Sequence, residues 1–138
     1  MLKCAVKECG NIGMSVYVGA TVTATQCEFM ENGGNGVSCR DANTKARLND
    51  CQMHHNEYDG LAAYTHAVVN LYGTKTDIHS NKRHGIWAWC RAKVNIHLPS
   101  QHNTSHDNVR EDRNQAGDAF ATGGSIANIN ADGTFTHT

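Results

Sequence analysis

The sequence predicts an all-β fold, a right-handed parallel β-helix of about four to five coils with a C-terminal loop and hairpin cap, on three observations. Asn-x-x-x-Gly followed by an aliphatic residue recurs at Asn32…Gly36-Val37, Asn56…Gly60-Leu61 and Asn81…Gly85-Ile86, and Gly13-Met14 gives a shorter, earlier copy. The three glycines lie 24 and then 25 residues apart, a period that signals a solenoid. Each unit also holds three short apolar-x-apolar stretches, the period-two mark of a strand with one buried face. No stretch keeps the spacing i, i+3, i+4, i+7 over helical length. Helical repeats therefore do not fit, and neither does the Leu-x-x-Leu-x-Leu framework of leucine-rich repeats.

The elements follow in order. The first stretch of each unit is Cys4/Val6, Cys27/Phe29, Cys51/Met53 and Thr76/Ile78. The second follows the glycines: Met14/Val16, Val37/Cys39, Leu61/Ala63 and Ile86/Ala88. The third is Val22/Ala24, Ala46/Leu48, Val69/Leu71 and Val94/Ile96. Stacked in register, these put Cys4, Cys27 and Cys51 in one interior column, with Cys39 also inward. Gly36, Gly60 and Gly85 are expected to supply tight turns entering a strand. Asn32, Asn56 and Asn81 are expected to stack as a ladder of side-chain amides at one corner, with Cys9 in the same position one unit earlier.

A single domain over 1–138 is expected: repeat coils over 2–98, a polar loop over 99–123 and a capping strand and hairpin over 124–138. Pro99, the only proline, ends the last regular strand. The following segment is polar, with His102, His106, Asp107 and the run Arg110-Glu111-Asp112-Arg113. Gly124-Ser125-Ile126 resembles one more glycine-led strand, and Ala131-Asp132-Gly133 a hairpin turn into Thr134-Phe135-Thr136. The first coil has no visible cap, so the expectation is either a homodimer pairing through it or a fragment that needs upstream coils.

The formal net charge is −1, which gives no electrostatic reason to expect nucleic acid or an anionic membrane as a partner. Apolar runs are too short to span a bilayer. Met1-Leu2-Lys3-Cys4 runs straight into repeat sequence, so no secretory leader is expected. The six cysteines are spaced by the repeat rather than as a disulfide framework. Reduced thiols and a cytoplasmic or nuclear location are expected.

On the strand after each glycine, the outward columns are Ser15, Ser38, Ala62, Trp87 and Tyr17, Arg40, Tyr64, Trp89. Aromatic faces stepped one per rung can stack sugar rings or a partner's apolar side chains, and Arg40 can hold a carboxylate. Tyr17, Arg40, Tyr64, Trp87 and Trp89 are thus the candidate binding residues, weighed against mutual stacking for stability alone. Glu28 and Asp77 share an outward column two rungs apart and are expected to be solvated charges. His54 and His79 stack at one turn beside His55, but closed metal sites need several convergent ligands. Neither metal nor cofactor is expected, and no catalytic residue is assigned.

The strings Cys-x-[Phe/Met]-x-x-Asn-x-x-x-Gly-[Val/Leu] at 27–37 and 51–61, with weaker copies at 4–14 and 76–86, resemble the parallel β-helix repeat superfamily. It includes pectin- and alginate-processing enzymes and the non-catalytic β-helix modules of F-box ubiquitin-ligase adaptors. The end segment, from the string His97–Asn103 through the string Gly123–Ile129, looks like uncharacterised β-helix proteins of algae and other protists. The resemblance implies fold more than function. Arg-x-Pro-x-x-Arg, Asn-Thr-Asp, Asp-Asp, Gly-His-Gly and Asp-Pro-His-Asp, the signatures of its enzymes, do not occur. The expectation is a non-catalytic binding module that takes a protein segment or glycan on its aromatic face. The alternatives are a polyuronate lyase or epimerase and a purely structural assembly subunit.

Overall fold

A computed structural model of the chain describes residues 2–98, 104–117 and 122–137. Three sheets wrap around one core. The first sheet stacks β1 (Ala5–Lys7), β4 (Glu28–Met30), β7 (Gln52–His54), β10 (Asp77–His79) and β13 (Ser105–His106). The second stacks β2 (Met14–Val16), β5 (Val37–Arg40), β8 (Leu61–Tyr64), β11 (Ile86–Ala88) and β14 (Arg113–Asn114). The third runs β3 (Thr21–Thr25), β6 (Lys45–Asn49), β9 (Val68–Tyr72), β12 (Lys93–Ile96), β15 (Ser125–Ile129), then β16 (Phe135–His137). Among the described strands all pairings are parallel except β15 with β16.

The register is the one the repeat demands. Met14, Val37, Leu61 and Ile86 pair in turn, as do Val16, Cys39, Ala63 and Ala88. Phe29, Met53 and Ile78 form another column, and Ala24, Leu48, Leu71 and Ile96 a third. All of them except Met14 are buried, most completely. No unit can bury its apolar face alone, so stacking makes the core. Cys27, Cys39 and Cys51 lie in it, and all six cysteines are free thiols. Cys4 departs from the expected column and is exposed, because it stands in the outermost rung, with β1 at the sheet edge.

The corners come from left-handed backbone. Glu8, Glu31, His55, Ser80 and Asp107 all have φ of 55–56°, a conformation that costs a non-glycine residue about 1–2 kcal/mol. What offsets it is the next residue, where the asparagine ladder stands. Asn32 Nδ2 donates to Asn56 Oδ1 (3.0 Å), and Asn56 Nδ2 to Asn81 Oδ1 (2.9 Å). Each of those carboxamide oxygens also takes the backbone N–H of the preceding ladder residue. Each amide in turn reaches a strand carbonyl, that of Val6, Phe29 or Met53. The buried carboxamides of the ladder thereby satisfy one another and the strand backbone.

Two expectations need correction. Gly36, Gly60 and Gly85 do not have positive φ; among the described glycines only Gly19, Gly73 and Gly133 do. They are glycine for space instead. A Cβ on Gly36 would lie 2.7 Å from the Gly60 carbonyl oxygen and 2.8 Å from Asn56 Nδ2. The same close approach to the ladder holds at Gly60 and Gly85.

The polar segment after residue 98 is not simply a loop: β13 and β14 add a fifth rung to the first and second sheets. Asn108 extends the ladder, its Oδ1 accepting from Asn81 Nδ2 at 2.9 Å. Where the earlier units have glycine four residues on, this one has Asp112, whose Oδ1 takes both the N–H and the amide of Asn108. Pro99 and His102 lie outside the described residues. The hairpin forms as expected, and β16 covers the outer edge of β15.

Candidate functional site

The outer face of the second sheet gathers the aromatic residues that the register places there. Tyr64 and Trp87 meet edge to face at 5.5 Å between ring centres, and Trp87 stacks on Trp89 at 5.3 Å with 21° between planes. All three are half-buried. Lower on the same face, Tyr17 is 47% exposed and lies under the Arg40 guanidinium at 5.1 Å. The five expected residues thus fall into two groups, a Tyr64–Trp87–Trp89 layer and a Tyr17–Arg40 pair. The outward column itself is uneven. Ser38 and Ala62 are buried, and the Asn35 amide ties Ser38 Oγ (2.9 Å) to the Tyr64 hydroxyl (3.2 Å). Burial pushes the Tyr64 phenol above its usual range.

Residues outside the expected set complete the face. Arg83 lies 5.3 Å from the Tyr58 ring and 5.8 Å from Trp87. Among the described residues its buried Nε has no hydrogen-bond partner and it forms no ion pair. Beside it is a buried pair: His84 Nδ1 donates to Asp59 Oδ1 at 3.0 Å, and Asn114 Nδ2 meets His84 Nε2 at 3.1 Å. With both ring nitrogens engaged, His84 has none free for a substrate proton. Asn35, Asp59 and His84 each precede a repeat glycine and form a second ladder: Asn35 Oδ1 takes the Asp59 N–H, and Asp59 Oδ1 the His84 N–H, both at 2.9 Å. Aligning the residue before each glycine exposes this column in the sequence. The Arg83 position carries no comparable signal.

The stacked parallel architecture agrees with the family whose model, a right handed beta helix region, matches residues 1–135. The chain belongs to the right-handed β-helix family. Neither the curated proteins nor the solved structures yield a match. In this β-helix the aromatic face therefore has to be read from its own geometry.

The first sheet carries a different face. Glu28 and Asp77, expected as solvated charges, instead meet histidines: Glu28 Oε2 is 3.4 Å from His54 Nε2, and Asp77 Oδ1 is 2.7 Å from His106 Nε2. Register explains this, since His54, His79 and His106 occupy one column two residues along from the acids. Hydrogen bonding to Asp107 and Asp77 raises the His106 pKa above its ordinary value, and burial lowers that of His79.

Proposed function

We propose that this β-helix is a non-catalytic binding module whose ligand, a glycan or an extended protein segment, lies along the outer face of the second sheet. The observation that carries the reading is the continuous Tyr64–Trp87–Trp89 ring layer, flanked by guanidinium groups at Arg40 and Arg83 that, among the described residues, have aromatic but no acidic partners. Ring faces stepped along parallel strands suit a ligand with a short repeat, and each cation adds a place for a carboxylate or other acceptor. The engaged state of His84 supports binding over acid–base chemistry, because a general base needs a nitrogen within reach of the substrate.

Glycan and peptide arrays probed with the full chain, then with Trp89→Ala and Arg83→Gln, test this. Binders of either class should be lost or weakened about tenfold or more in both variants, as expected for aromatic and arginine anchors. Array binding that is unchanged in both variants rejects the face. Turnover of a polyuronate that survives in His84→Gln but fails in Trp89→Ala rejects the non-catalytic reading instead.

A further inference from the structure

The histidine column on the first sheet is independent of the aromatic face and has a repeating geometry of its own. The rings of His54 and His79 stack at 4.9 Å and 2°, those of His79 and His106 at 5.2 Å and 14°. In each rung the Nδ1 of the column histidine faces the side chain of the next residue, the one in left-handed backbone. These partners are His55 Nδ1 at 2.6 Å, Ser80 Oγ at 2.9 Å and Asp107 Oδ2 at 2.8 Å. Only in the His54 rung are both facing atoms imidazole nitrogens.

The Glu28 carboxylate lies 3.4 Å from His54 Nε2, on the opposite side of the ring from Nδ1, where a carboxylate can back a metal-bound imidazole. The left-handed corner at His55 turns a second Nδ1 to the same point, and its ring stands edge-on to both His54 and His79. His55 is exposed, so a cation has access and the ring has room to open the pair. Tetrahedral ligand bonds of about 2.0–2.1 Å place two donor nitrogens about 3.3 Å apart, so the pair opens by about 0.7 Å from its 2.6 Å contact.

We propose that His54 Nδ1 and His55 Nδ1 are a chelating pair for a borderline divalent cation of the zinc type, with the Glu28 carboxylate behind the His54 ring. Imidazole donors select such ions over magnesium or calcium. Among the described residues no third histidine, cysteine, aspartate or glutamate converges on the point. The site is therefore open, with water in the remaining positions, and unlike a closed structural centre.

Calorimetric titration of the full chain with zinc chloride at neutral pH tests this. One saturable zinc per chain is expected. His55→Asn, which keeps a residue suited to left-handed backbone, should weaken it about tenfold or more. His54→Gln should do the same, and His66→Asn, an exposed corner elsewhere, should leave it unchanged. Absence of saturable binding in the wild type overturns the proposal. So does full affinity in His55→Asn, or loss of binding in Cys4→Ser, which would move the ion to the exposed thiol.

Discussion

Among single residues the strictest demand falls on the repeat glycines. A Cβ on Gly60 would stand 2.5 Å from Ile78 Cγ2 and 2.7 Å from Asn81 Nδ2, both held by the core and the ladder. Gly60→Ala should cost about 1–3 kcal/mol, the range for overpacking a filled site, read as a lower urea midpoint with unchanged slope. The position of these glycines was legible in the sequence, whereas their reason was not. Spacing reveals that glycine recurs, but only the fold shows that the constraint is the neighbouring carboxamide rather than a turn dihedral. The buried thiols give a pH signature. Burial, with Asp41 adding to it, pushes the Cys39 thiol from 9.0 up to about 11. Its folded pKa exceeds the unfolded one, so the native state gains from the neutral thiol fully below pH 9 and loses that gain as the pH rises towards about 11. Urea midpoints measured across this window should fall more steeply for wild type than for Cys39→Ala. Equal slopes would mean that Cys39 ionises as freely folded as unfolded.

The strands of the first four rungs were legible because each keeps its apolar-x-apolar register from Val6 to Ile96. The fifth rung was hidden by two substitutions. Ser105 takes the inward position held by Ile78 one rung earlier, and Asp112 stands where glycine is expected. Polar sequence reads as loop, yet Ser105 Oγ donates to the Asp112 carbonyl and Asn108 continues the ladder, so hydrogen bonds replace the missing apolar contacts. Asn108→Ala removes an acceptor for two Asn81 donors and leaves them facing a cavity. Hydrogen exchange should then quicken at Ser105–His106 and Arg113–Asn114, while Val37–Arg40 and Leu61–Tyr64 stay protected. Uniform loss of protection would mean that the fifth rung is no separate unit of stability. The candidate face was legible at the same level. Register alone placed Tyr64, Trp87 and Trp89 together, because β-strand alternation is strict. Arg83 was not seen, since it lies at a corner, where side-chain direction depends on local backbone rather than on a period, whereas the Asp59–His84 pair follows the repeat and emerges only when the residue before each glycine is aligned.

At the scale of the whole molecule, three sheets give three chemically distinct outer faces: stacked histidines with acids on the first, aromatic rings with arginines on the second, and on the third a polar face with Lys45, Arg47 and Lys93. Arg47 lies 3.9 Å over Tyr72, and Tyr72 stacks on His97 at 4.1 Å, so the third face also has an aromatic component and is the natural rival as a ligand surface. The chain has two tryptophans, both on the second face, and this makes the rivalry directly measurable. The decisive measurement is an amide and indole NMR titration with the best array binder. The account predicts that the Trp87 and Trp89 indole N–H signals and the amides of Leu61–Tyr64 and Ile86–Ala88 shift together and saturate with one affinity. Saturable shifts confined to Val68–Tyr72 and Lys93–Ile96, with both indole signals unmoved, would contradict it.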